Sequence, residues 1–132
     1  MNEINGECAC GARVLVIEDE MLVAMMVEDV LAEAGYRVLG PVATVENALS
    51  ILETGSKIDI AVMDLNLSGQ TSLPLANVFR ERNIPFMIMT GYGSAPLSPP
   101  HELVRVLSKP FDPADLIAML QETLDLATLP PR

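Results

Sequence analysis

The sequence predicts an α/β fold, a doubly wound five-stranded parallel sheet with helices on both faces. Three observations carry that prediction. Five short apolar runs recur along the chain, the segments between them change to helical spacing, and four of the runs end in charged or hydroxyl-bearing side chains. Unbroken apolar runs suit strands covered on both faces. Strands that alternate with helices give right-handed crossovers and one parallel sheet. The 132 residues, 50% of them hydrophobic, fit a single domain with a sizeable core.

Residues 1–12 hold glycine, polar residues and no periodicity, and read as a flexible leader. Cys8 and Cys10 fall there and match neither a disulfide framework nor a zinc-ligand spacing. The first strand is Arg13-Val14-Leu15-Val16-Ile17, which ends in Glu18-Asp19-Glu20. From Met21 a helix places Val23, Met26, Val27, Val30 and Ala34 on one stripe, and Gly35 stops it. Its methionines read as core filler. Residues 36–41 form a second strand ended by Gly40-Pro41. Thr44 then caps a helix that turns Val45, Ala48, Leu49 and Leu52 inward, with Gly55 at its end.

Residues 58–64 are the central strand, β-branched at Ile58, Ile60 and Val62 and closed by Asp64, after which the chain breaks into Leu65-Asn66-Leu67-Ser68-Gly69. A third helix begins near Ser72, tolerates Pro74 in its first turn and buries Leu75, Val78 and Phe79. Residues 85–89 make the next strand and run into Thr90-Gly91-Tyr92-Gly93. Pro96, Pro99 and Pro100 allow only a short helix between Ser98 and Arg105. Arg105-Val106-Leu107 is the last strand, leading into Ser108-Lys109-Pro110-Phe111. Asp112 caps the final helix, with Pro113 first, Asp115 at its positive end, and Leu116, Met119, Leu120, Thr123 and Leu124 inward. The domain therefore spans residues 13–127, with 128–132 as a tail.

A formal charge of −10, from 8 Lys and Arg against 18 Asp and Glu, argues against nucleic-acid binding. No apolar run approaches the ~20 residues that span a bilayer. The first residues lack the charged and apolar regions of a secretory signal, so a cytoplasmic protein with no membrane contact is expected.

Strand ends deliver Glu18 and Asp19, Asp64, Thr90 and Lys109 to one edge of the sheet, where open α/β folds bind ligands. Crowded carboxylates need a cation, and acids with a loop carbonyl are the hard oxygen donors that suit Mg²⁺. At such a site Asp64 can attack phosphorus while Mg²⁺ and Lys109 neutralise the equatorial oxygens and Thr90 donates a hydrogen bond. Gly91 leaves a path open for a phosphodonor or water.

Val-Leu-Val-Ile-Glu-Asp-Glu at 14–20, Met-Asp-Leu-Asn at 63–66, Met-Thr-Gly at 89–91 and Ser-Lys-Pro-Phe at 108–111 resemble the receiver domain of two-component response regulators. The resemblance covers about residues 12–127 and implies the flavodoxin-like version of the predicted sheet. It further implies that Asp64 is the phosphoacceptor, Asp19 a direct Mg²⁺ ligand and the Asn66 backbone carbonyl another, with Glu18 acting mainly through metal-bound water. Thr90 is then the switch hydroxyl, and Lys109, aimed by a cis bond to Pro110, senses the phosphoryl group. The phosphoryl donor is a sensor histidine kinase or a histidine phosphotransfer protein, and a stand-alone receiver signals by contact with a downstream protein. A weak homodimer is compatible with this. Such a chain is a signalling domain that catalyses its own phosphorylation and dephosphorylation, rather than an enzyme.

The chain also departs from the family pattern. Ser68 and Thr71, with Gly69 between, stand where most receivers have a proline and a glycine, and Val106 stands at the usual aromatic switch position. Residues 85–92 are similar to a subgroup with the pattern P-F-x-F-A-T-G-Y, in which Tyr92 takes part of the aromatic's role. His101, after two prolines, reads as exposed and not catalytic. A haloacid-dehalogenase-type phosphatase needs a second acid where Asn66 stands, and no nucleotide-binding glycine motif follows a strand. The remaining alternative is a receiver-fold binding module whose phosphorylation is vestigial.

Overall fold

Two strands apolar on both faces, β1 (Arg13–Ile17) and β3 (Ile60–Asp64), lie side by side inside the sheet. The structure is a computed structural model that describes residues 11–91 and 104–127. The expectations for residues 1–10, for Tyr92, for His101 and the proline-rich stretch, and for the tail lie outside the described residues. Outward from the centre, β2 (Arg37–Val42) pairs with β1, β6 (Phe86–Thr90) with β3, and β7 (Val106–Ser108) with β6. Every pairing in this sheet is parallel, in the order β2-β1-β3-β6-β7.

Alternation along each strand sends successive side chains to opposite faces. On one face Leu15, Ile17, Ala61, Met63 and Ile88 pack with Val45, Ala48 and Leu52 of α2 (Val45–Glu53) and with Leu75, Ala76 and Phe79 of α3 (Leu73–Glu81). On the other, Val14, Val16, Ile60, Val62, Met87 and Met89 pack with Val27 and Leu31 of α1 (Met21–Glu33) and with Leu116 and Leu120 of α4 (Pro113–Ala127). The predicted doubly wound sheet is thus present, with Thr44 capping α2 by accepting from the Asn47 amide at 3.0 Å. None of the described helices is long and apolar enough to cross a membrane.

The structure corrects the reading of α1. Its buried residues are Ala24, Val27 and Leu31, whereas Met21, Leu22, Met25 and Met26 are exposed, so these methionines do not fill the core. The start of this helix is apolar on every side, and periodicity cannot select a face there. Residues 11 and 12, read as leader, are tied to the fold: the Gly11 amide donates to the Gly35 carbonyl at 2.7 Å and the Arg37 amide to the Ala12 carbonyl at 2.9 Å. A short hairpin unforeseen in the sequence, β4 (Asn66–Leu67) with β5 (Gln70–Thr71), follows β3.

At the edge of the sheet, Gly40 has φ +88°, and a Cβ there would lie 2.8 Å from the Val42 nitrogen and 3.0 Å from the Val16 oxygen. Gly55 has φ +78° with open space around it. Gly40→Ala should therefore destabilise by about 3 kcal/mol, combining backbone strain with overpacking, against about 1 kcal/mol of strain alone for Gly55→Ala. Urea unfolding of the two variants checks this difference.

Candidate functional site

Parallel register brings the strand ends level. Ile17 pairs with Met63 and Asp64 with Met89, while Thr90 pairs with Ser108, so Glu18, Asp64, Thr90 and Lys109 lie at neighbouring strand tips. Backbone bonds fix those tips: the Lys109 amide donates to the Thr90 carbonyl at 2.7 Å and the Leu65 amide to the Met89 carbonyl at 3.0 Å. The register thus carries these charged side chains to one place before any of them interacts.

The Lys109 Nζ donates to Glu18 Oε1 at 2.6 Å, to Asp64 Oδ2 at 2.9 Å and to Glu20 Oε1 at 3.4 Å. Their exposures separate these contacts. The side chains of Lys109, Glu18 and Asp64 are 13%, 0% and 10% exposed, whereas that of Glu20 is 65% exposed, so only the first two bonds are shielded from water. The second Asp64 oxygen, Oδ1, accepts from the Asn66 amide at 3.1 Å, which leaves the carboxylate held at both oxygens. Burial, reinforced by the Asp64 charge, pushes the Glu18 carboxyl up to about 7 against the opposing pull of Lys109. Burial also opposes the charge on Lys109, but its bonds to Glu18 and Asp64 prevail and raise its ammonium above the ordinary value.

One oxygen from each of Glu18, Glu20 and Asp64 lies within 4.8 Å of the others, and the Lys109 ammonium bonds all three side chains. Glu20 did not enter the predicted set, although it adjoins Glu18-Asp19 in the sequence. Its position as the residue before α1 folds it back over Lys109. Asp19 lies outside that close group; its Oδ2 accepts from the Ser68 hydroxyl at 2.7 Å, and this bond holds its carboxyl below the usual range. Asp19, Asp64, Asn66 and Lys109 nonetheless line one open cavity of about 390 Å³ with Glu20, Ser68, Gly69 and Gly91. Thr90 is buried and is not among the described residues that line it. A Cβ at Gly91 would meet Lys109 Cδ at 3.9 Å, an ordinary contact, so space alone does not require glycine there. Val106 is half-buried against the α2–α3 side of the core, as a β-branched residue without a switch ring.

Comparisons with known proteins agree with this geometry. The family model described as response regulator receiver domain matches residues 14–121. The chain is similar to the transcriptional regulatory protein PdtaR of Mycobacterium tuberculosis, 26% identical over 121 residues, covering 89% of this chain and 58% of that protein. It is also similar to the phyllosphere-induced regulator PhyR of Methylorubrum extorquens, 28% identical, covering 84% of this chain and 43% of that protein. The chain therefore spans about half the length of these curated relatives. Among solved structures, SdrG from Sphingomonas melonis superposes with a TM-score of 0.75 at 36% identity, covering 86% of this chain and 96% of that one. A response regulator receiver protein from Sinorhizobium medicae gives a TM-score of 0.77 at 26% identity, covering 89% and 97%.

Removing one member of a buried ion pair leaves the other charge uncompensated. Lys109→Met should accordingly destabilise the metal-free protein by about 3 kcal/mol at neutral pH. Lys109→Arg should lose less; urea unfolding measures both, and an unchanged midpoint for Lys109→Met would contradict the role given to the lysine.

Proposed function

This chain belongs to the response regulator receiver domain family, and from that premise we propose that Asp64 accepts a phosphoryl group from the phosphohistidine of a sensor histidine kinase or a histidine phosphotransfer protein. The observation that carries the reading is the placement of Asp64 at the cavity, with one oxygen on the Asn66 amide and the other on Lys109. An Asp64 oxygen attacks phosphorus and forms a P–O bond. The P–N bond to the donor imidazole breaks, and its electron pair leaves with the imidazole. Lys109 neutralises charge on the transferring oxygens, and the buried Thr90 hydroxyl donates to one of them after transfer.

The donor set suits Mg²⁺, because the carboxylates of Asp19, Glu20 and Asp64 that line the cavity offer hard oxygens. Asp19, Asp64 and the Asn66 backbone carbonyl, which lie at the cavity, would hold the ion, with Glu18 acting mainly through metal-bound water. When bound it supplies positive charge for the phosphoryl oxygens and relieves the repulsion among the acids. The intact set of Asp64 and Lys109 at one cavity, with Thr90 buried at a neighbouring strand tip, supports phosphorylation over the vestigial binding module.

In this reading the chain catalyses its own phosphorylation and dephosphorylation as a cytoplasmic signalling domain. Phosphorylation shifts a pre-existing conformational equilibrium, and a partner protein reads the shifted state by contact. Intact-mass measurement after incubation with acetyl phosphate tests the proposal. One phosphoryl adduct that requires both Mg²⁺ and Asp64 is expected; no adduct, or an adduct that persists in Asp64→Asn, would overturn it.

A further inference from the structure

We propose that Ser68 is the positioning residue for Asp19: its hydroxyl holds that carboxylate at the cavity rim and so sets the affinity of the site for a divalent cation. The proposal rests on the reading of this cavity as an Mg²⁺ site.

The β4–β5 hairpin turns through two residues, Ser68 at φ +54° and Gly69 at φ +86°, between the paired Leu67 and Gln70. Positive φ at both central residues is the type I′ turn that matches strand twist, and its usual first residues are Asn, Asp or Gly. A serine there occupies a backbone region that L-residues disfavour. Such an outlier points toward a task for the side chain.

The hairpin does not need the hydroxyl to close. Its strands pair, and the Gly69 amide donates to Asn66 Oδ1 at 2.8 Å. The Ser68 hydroxyl instead crosses to Asp19 Oδ2 at 2.7 Å, from the loop after β3 to the loop after β1. Both residues line the cavity that contains Asp64 and Lys109. Carboxylates that ligate metals are held by such outer hydrogen bonds, which fix their direction before the ion arrives. Proline at position 68 could supply neither half of this device, since its ring holds φ near about −65° and it carries no donor.

The test is Mg²⁺ titration of the ¹⁵N-labelled full chain, with dissociation constants read from amide shifts in wild type, Ser68→Gly and Ser68→Asn. Glycine keeps the positive φ and removes the hydroxyl, while asparagine keeps the positive φ and offers a side-chain N–H donor. Ser68→Gly is expected to bind Mg²⁺ about tenfold more weakly, at an unfolding midpoint no lower than wild type, and Ser68→Asn to recover part of that loss. Equal or tighter binding in Ser68→Gly, with wild type binding normally, would overturn the role of Ser68 alone. Absence of any Mg²⁺-dependent shift in wild type would overturn the reading of the cavity, and this proposal with it.

Discussion

Two carboxylates, Glu18 and Asp64, are buried at adjacent strand ends, and the ammonium of Lys109 touches both. Burial and the Asp64 charge both favour the neutral form of Glu18, and the Lys109 ammonium opposes them. The lysine resolves this only if three strand ends, those of β1, β3 and β7, stay level to within a hydrogen bond. That requirement explains why both acids stand at the ends of buried central strands. In the proposed reading, Lys109 also answers the negative charge that a phosphoryl group would add beside these acids.

The sheet meets the requirement through its two-sided core. Alternate residues of β1, β3 and β6 are locked between α2 and α3 on one face and α1 and α4 on the other, so a strand cannot slip without exposing one whole set of side chains. Rigid strands thus position the acids and the lysine, while the parts free to differ among such folds are loops. The hairpin after β3 is one of these. It leaves the end of β3, closes on itself and reaches across to Asp19.

Much of this was legible in the sequence, and for a physical reason. A strand buried on both faces must be apolar along its length, so Val14-Leu15-Val16-Ile17 and Ile60-Ala61-Val62-Met63 announce themselves, and the polar residue that ends each marks the functional edge. Asp64, Glu18 and Lys109 converge as their positions implied. The face of α1 was not legible, because Met21, Leu22, Val23, Met25 and Met26 leave no polar side to contrast with. The hairpin escaped notice because its strands are two residues each and Ser68 is an unusual occupant of a left-handed turn. Glu20 lies within the motif at 14–20, but only the backbone at the start of α1 brings it to the lysine.

The central claim is that Asp64, Lys109 and Thr90 form one phosphoryl-binding unit. The most direct measurement is a titration of the ¹⁵N-labelled chain with beryllofluoride, a phosphoryl mimic, in the presence of Mg²⁺. The account predicts saturable amide shifts centred on Asp64, Thr90 and Lys109, all lost in Asp64→Asn. Shifts that bypass Thr90 and Lys109, or that survive in Asp64→Asn, would contradict it.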